Sequence, residues 1–215
     1  MELKKKKSWR DISINDYYII KDIIEDETLE NYEKEVKLIG FINNMTDEDV
    51  WNLDITKFRE LQVNATWIYE FNFKQNKTFK KITINNSKYT VDINLQHFTV
   101  AQYIDFQTFW PKTFTNMREV IGNVLAVFII PKGHKYNEGY DINEVIEDIK
   151  NEVDIMTANE ILFFFLSTYQ ILTKITLNYL RWQMKRMKRN KKIDQEKLKE
   201  IQGHLEMIEK TILAG

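Results

Sequence analysis

Residues 79–93 have the sequence FKKITINNSKYTVDI, and this stretch decides between an all-helical fold and a mixed one. Apolar and polar residues alternate on both sides of Asn85-Asn86-Ser87, which is the two-residue period of a half-buried strand. Asn and Ser suit the turn that joins two antiparallel strands. We therefore predict one β-hairpin over residues 79–94. The alternating apolar residues are Ile82, Ile84, Tyr89, Val91 and Ile93.

The chain before the hairpin has helical spacing instead. Ser13, Thr46 and Asp54 are of the residue types that cap helices, and each precedes apolar residues spaced three or four apart. We predict a helical subregion over residues 8–70, in which the second helix ends near residues 40–44. The positions assigned to apolar helix faces are Tyr17, Ile20, Ile23 and Ile24, then Tyr32, Val36 and Ile39, and then Ile55, Phe58, Leu61 and Ala65.

Helical spacing returns after the hairpin. Capping residues again precede the apolar positions, and Pro131 with two glycines marks a loop at residues 131–139. The predicted helices run from Thr99 to about Trp110, from Asn116 to Ile130, from Asp141 to about Asn151, from about Thr157 to Asn190 and from Gln195 to Leu213.

These patterns predict an α+β fold that is mainly α, with about eight helices and one β-hairpin. We expect a single domain over residues 1–215, because neither an internal repeat nor a low-complexity linker interrupts the sequence. Its parts are a helical N-terminal subregion 8–70, the β-hairpin 79–94 and a helical C-terminal subregion 99–213.

The composition limits the classes of chemistry that the chain can perform. Of its 215 residues 43% are hydrophobic and none is cysteine, so a core can form, whereas disulfides, thiolate zinc sites and a cysteine nucleophile are excluded. The most apolar stretch, residues 161–166, is too short to span a bilayer. No apolar segment follows the basic residues 4–7 as in a signal peptide. We expect a protein of the cytoplasm.

Motifs that carry catalysis are missing from the sequence. His97, His134 and His204 are scattered without metal-ligand spacing, and the sequence contains no glycine-rich phosphate loop or nucleophile elbow. We expect no enzyme activity, no catalytic or metal-binding residues and no cofactor. The loop at 131–139 combines Gly, Lys and His, which can cradle a phosphate. A surface turn or a protein contact is the favoured interpretation, because the P-loop spacing is absent.

The segment 181–192 is strongly basic, with seven Lys and Arg and no acid. Such a stretch can meet DNA, RNA or an acidic protein surface. The alternative is a solvated helix end, where cations are stabilised by the negative end of the helix dipole. The partner-binding residues predicted within it are Arg181, Lys185, Arg186, Lys188 and Arg189.

The predicted C-terminal helix carries one narrow apolar stripe at spacings of three and four. Charged residues occupy its other faces, so we expect something to cover the stripe. A hairpin with the preceding helix is favoured because the connection is short, and packing against another subunit is the alternative. The partner-binding residues predicted in the stripe are Leu198, Ile201, Leu205 and Ile208, and Ile212 continues it.

Two parts of the chain carry recognisable strings of residues. The N-terminal segments are Trp9-Arg10-Asp11-Ile12-Ser13-Ile14, Tyr17 or Tyr18, Glu35-Val36-Lys37-Leu38-Ile39, Met45-Thr46-Asp47-Glu48-Asp49-Val50, Leu53 and Phe58. These segments resemble small helical morphogenesis proteins of tailed bacteriophages, most closely the tail-assembly-chaperone type. Residues 130–141, with the strings Ile-Pro-Lys-Gly, Lys-Tyr-Asn and Gly-Tyr-Asp, are similar to uncharacterised proteins of AT-rich, crAss-like phages.

The resemblance implies a non-enzymatic role in building the virion. Such a protein either holds tail subunits before they polymerise or sits in the neck and tail as a ring or packaged component. Its expected partners are other phage structural proteins, with self-association as a further possibility, and its expected location is the host cytoplasm or the virion. The alternative is a nucleic-acid-binding regulator that uses segment 181–192. No membrane partner is expected.

Overall fold

The computed structural model describes residues 5–70, 80–110, 117–189 and 203. The chain divides into two compact units, residues 1–162 and 163–215. The fold is α+β and mainly α, as the sequence predicts. No helix within the described ranges is long and apolar enough to cross a membrane.

The first unit begins with short helices whose ends are fixed by side-chain caps. The helices are α1 (Ile14–Glu25), α2 (Asn31–Asn43), α3 (Asp47–Trp51) and α4 (Ile55–Asn64), and 3-10 turns span Trp9–Asp11 and Thr66–Tyr69. The Ser13 hydroxyl accepts a hydrogen bond from the Asp16 N–H at 3.1 Å, and Thr46 and Asp54 cap α3 and α4 in the same way. These three predicted caps are confirmed, and Asn44, in the left-handed region, ends α2 where the sequence predicts a stop.

A three-stranded antiparallel sheet follows, in the order β1-β2-β3. Its strands are β1 (Lys81–Ile84), β2 (Ser87–Val91) and β3 (Ile129–Pro131). The predicted hairpin is confirmed, although its turn has two residues: Asn85 and Asn86 both have positive φ, and Ser87 already belongs to β2. The third strand contradicts the prediction of a helix to Ile130. β2 offers a free edge there, and Val91 pairs with Ile129.

The remaining helices are α5 (Val100–Phe109), α6 (Met117–Phe128), α7 (Ile142–Glu152) and α8 (Ile155–Arg189), and a 3-10 turn spans Leu95–His97. A capping box between Thr99 and Gln102 begins α5, where the sequence predicts a helix start, and the Asp141 side chain caps α7. The long helix predicted from about Thr157 is α8. The predicted helix 195–213 lies outside the described residues apart from residue 203, which is helical.

The centre of the first unit is the second half of α6. Residues 124–129 are all fully buried, because α5, α7 and β2 surround them. A smaller cluster, in which Val36, Ile39, Val50 and Leu61 are buried, holds α2, α3 and α4 together. These two apolar clusters hold the helices of the first unit together, as layers of a helical domain require.

Several positions assigned to apolar helix faces are in fact exposed. Tyr32 in α2 is 56% exposed and Ile55 in α4 is 64% exposed. In α1 the side chains of Tyr18 and Ile20 are buried, whereas Ile24 is 38% exposed. These three corrections have one cause: short helices bury a stripe only one or two residues wide per turn, so the apolar residues at its edges remain on the surface.

Candidate functional site

The outer face of α5 presents three large apolar side chains to solvent. Val100 is 77% exposed, Tyr103 is 54% exposed and Ile104 is 55% exposed. Their spacing of three and four places them side by side on the helix. We call these three residues the α5 face. Exposed apolar residues that form a contiguous group are typical of protein-binding surfaces.

The inner face of α5 is held by specific contacts. Gln102 is buried, and its amide Nε2 donates a hydrogen bond to the carbonyl oxygen of Val127 at 2.8 Å. Phe106, also buried, has its ring centroid 6.3 Å from that of Phe128. These contacts fix the orientation of α5, so the α5 face is presented on a positioned helix.

A hydrogen bond also ties α5 to the loop that follows β3. The Tyr136 hydroxyl donates to Asp105 Oδ2 at 2.8 Å. Burial, together with this carboxylate, raises the pKa of Tyr136 well above its usual range. Tyr136 therefore keeps its proton and remains a donor at every physiological pH.

The loop at 132–141 folds tightly upon itself. Gly133, Asn137 and Gly139 all have positive φ, and the Asn137 N–H donates to the hydroxyl oxygen of Tyr140 at 3.0 Å. The ring of His134 packs edge-on against Tyr140, with their centroids 5.9 Å apart. These internal contacts account for both glycines and for His134, as expected of a surface turn.

The predicted basic surface lies near the end of α8. Arg181 and Lys185 are exposed, and between them Trp182 is 53% exposed. Arg186, Lys188 and Arg189 lie in the same helix, but their side chains are outside the part that the structure describes. The predicted stripe residues Leu198, Ile201, Leu205 and Ile208 lie outside the described residues.

We expect the charge-reversed variant K185E/R186E/K188E/R189E to fold as the wild type does. Lys185 is exposed, and a run of cations without partners cannot be buried at tolerable cost, so the sequence predicts that the four reversals are tolerated. Thermal unfolding measured in moderate salt should give a midpoint within about 3 °C of the wild type. A variant that fails to fold would mean that the segment packs in a core.

A second exposed aromatic group lies where α2 meets α3. Trp51 is 58% exposed, and its ring lies edge-on to that of Tyr32 with the centroids 6.0 Å apart. Glu48, one helical turn before Trp51, is exposed, and so is Glu27 in the turn that leads into α2. We call these four residues the acidic-aromatic surface. Sequence reasoning missed it because Tyr32 was assigned to the apolar face of α2.

A polar cluster connects the first 3-10 turn to the start of α8. The Arg10 guanidinium contacts Asp154, donates to the Thr157 hydroxyl at 3.0 Å and forms an ion pair with Glu160. The Glu160 side chain is only 6% exposed, and its Oε2 atom has no hydrogen-bond partner among the described residues. The cluster joins two distant parts of the sequence, which is a structural role.

The histidines do not form a site in the part of the chain that the structure describes. His97 Nδ1 lies 2.9 Å from Asp92 Oδ2 beside the hairpin, His134 lies in the loop after β3, and His204 is outside the described residues. No group of three or more His, Asp or Glu among the described residues is arranged to hold a metal ion.

Comparison of the chain with models of protein families, with curated proteins and with solved structures finds no match.

Proposed function

We propose that the chain is a non-enzymatic assembly protein of a tailed bacteriophage that acts by binding a phage structural protein. The observation that carries this proposal is the α5 face. Its three apolar side chains are each more than half exposed, on a helix whose inner side is fixed by buried contacts.

The chemistry of α5 favours a protein partner. Asp105 is the only charged residue between Val100 and Phe109, and its carboxylate is engaged by Tyr136. A surface without cations offers nothing to the phosphates of a nucleic acid. An apolar surface of this kind gains free energy by being covered, which a protein with its own apolar groups does best.

The phage context of the proposal is supported by the resemblance of residues 9–58 and 130–141 to morphogenesis proteins. Within that context two roles differ in stoichiometry. A tail-assembly chaperone is absent from finished particles, whereas a ring or packaged component is present in fixed copy number. Quantitative mass spectrometry of purified particles separates these roles.

The variant V100S/Y103S/I104S tests the proposal. We expect it to lose most of its binding to the phage structural protein, at least about thirtyfold in affinity, because truncating the strongest apolar anchors of an interface typically costs about 2 kcal/mol or more. The measurement is the amount of phage structural protein that co-purifies with the tagged chain from phage-producing cells.

A matched control is available in the same unit. The variant I55S/V63S/Y69S removes the same three residue types from positions that are 64%, 68% and 66% exposed. It should bind as the wild type does. Equal binding by the α5 variant and the control, at unchanged stability, would contradict a role for the α5 face.

Nucleic-acid binding through α8 is the second candidate function, favoured by the exposed cations Arg181 and Lys185 beside Trp182. A phosphate-dominated complex weakens steeply as salt rises. Affinity for a DNA or RNA probe that changes little between about 0.05 and 0.2 M salt would count against it.

A further inference from the structure

We propose that two copies of this chain bind head to tail, with the basic end of α8 of one copy docked on the acidic-aromatic surface of the other. This inference concerns a different part of the molecule from the α5 face. It therefore stands or falls independently of the proposed function.

The receiving surface has an apolar centre. Tyr32 and Trp51 lie edge to face and are both more than half exposed. The helices that carry them, α2 and α3, are held together by the small core of α2, α3 and α4, in which Val36 and Val50 are buried. Aromatic side chains on a supported surface are the residue types that dominate the binding energy of protein interfaces.

The charge around this centre selects a cationic partner. Residues 21–60 contain twelve Asp and Glu but only five Lys and Arg. Three of those bases already contact acids: Lys37 Nζ lies 2.8 Å from Asp47, Lys57 Nζ lies 2.8 Å from Glu60, and Lys21 Nζ lies 3.7 Å from Glu25. The acidic-aromatic surface therefore attracts positive segments and repels nucleic acid.

The same chain carries a segment of the required chemistry. The last turns of α8, residues 181–189, contain five Lys and Arg and no acid. Residues 181 and 185 share one helix face because they are spaced by four. Trp182 and Lys185 are both exposed. A cationic helix with an exposed indole matches an acidic surface with exposed aromatic rings in both charge and apolar character.

The net charge of the molecule fits this pairing. The whole chain has a formal charge of -1, so its acidic and basic regions nearly cancel. Two copies in head-to-tail contact bring opposite charges together without accumulating either sign. Such a heterologous contact closes into a ring or continues as a filament, according to the rotation between copies.

The contact is expected to be weak. One helix end against one surface buries less than the roughly 1,600 Å² of a standard interface, so we expect a dissociation constant in the micromolar range. The apparent mass of the full chain should therefore rise with concentration across this range, and the rise should shrink as salt increases.

Paired charge reversals provide the test. The acidic-surface variant E27K/E48K and the α8 variant K185E/R189E should each associate more weakly than the wild type, because each places charges of the wrong sign on one of its two docking surfaces. We expect each variant to lose at least about tenfold in association constant. Mixing the two should restore association, since the unaltered α8 of the first variant can dock on the unaltered acidic-aromatic surface of the second.

The measurement is sedimentation velocity of the full chain, of each variant and of their equimolar mixture. The control variant K80E/K88E, at exposed positions of the sheet region, should associate as the wild type does. Removal of the apolar centre by Y32S/W51S should also weaken association. A wild-type chain that is monomeric at every concentration, charge variants that associate like the wild type, or a mixture that stays monomeric would overturn the proposal.

Discussion

Replacing Phe128 with Ala is expected to lower the free energy of unfolding by about 3–5 kcal/mol, the largest effect of any single substitution that we predict. Phe128 is fully buried at the end of α6. Its ring centroid lies 5.5 Å from that of Phe98 and 6.3 Å from that of Phe106. Truncation removes the ring and leaves a cavity between α5, α6 and the sheet.

Urea unfolding followed by circular dichroism measures this loss. The milder Phe128→Leu should cost less than half as much, because it fills most of the cavity. Ile104→Ala is the control: Ile104 is 55% exposed on α5, so its truncation should change stability by about 0.5 kcal/mol or less. Equal effects of the substitutions at 128 and 104 would mean that α5 does not pack on α6 as described.

Replacing Arg10 with Ala is expected to lower the free energy of unfolding by about 2–3 kcal/mol. Removal of one partner from a fully buried ion pair costs about 3–5 kcal/mol, because the other charge stays buried and uncompensated. The Glu160 side chain is 6% exposed, but that of Arg10 is 48% exposed. Water therefore gains partial access to Glu160 in the variant, and the expected cost is lower than for a fully buried pair.

A second substitution shows whether the uncompensated charge is the cause. The double variant R10A/E160Q should recover at least about half of the stability that R10A loses, since the amide carries no charge. Lys57→Ala breaks an exposed ion pair with Glu60 and should cost about 0.5 kcal/mol or less. If R10A lowered the free energy of unfolding as little as K57A does, the cluster around Arg10 and Glu160 would stabilise the fold no more than a surface ion pair.

The caps and the hairpin could be predicted because their signals are local. Ser13, Thr46 and Asp54 satisfy backbone N–H groups within three residues of themselves, so sequence spacing alone specifies the geometry. Asn85 and Asn86 tolerate the left-handed backbone that a two-residue turn requires. Neither the caps nor the hairpin turn depends on contacts with distant parts of the chain.

The third strand could not be predicted because its signal is not local. Residues 124–130 are an uninterrupted apolar run, and helices and strands that are buried on all sides have the same pattern. The run leaves the helix after Phe128 because Asp92 N–H donates to the Phe128 carbonyl oxygen at 3.0 Å and β2 supplies an open edge. Only the fold brings that edge to residue 129.

The candidate surfaces were only partly predictable. The basic stretch on α8 is apparent from composition, and the exposure of Arg181 and Lys185 agrees with it. The α5 face was missed because α5 has apolar residues on all sides, so spacing does not show which side is covered. Burial of Gln102, a polar residue that bonds to the Val127 carbonyl, decides the orientation, and no sequence pattern indicates that bond.

The most direct test of the account is the salt dependence of the complex that the chain forms in phage-producing cells. The tagged chain is purified after nuclease treatment at salt concentrations from about 0.1 to 0.5 M, and co-purifying phage proteins are quantified. We predict that one phage structural protein remains bound in a constant ratio across this range, because apolar contacts are not screened. A complex that nuclease abolishes, or whose protein content falls steeply with salt, would contradict the account.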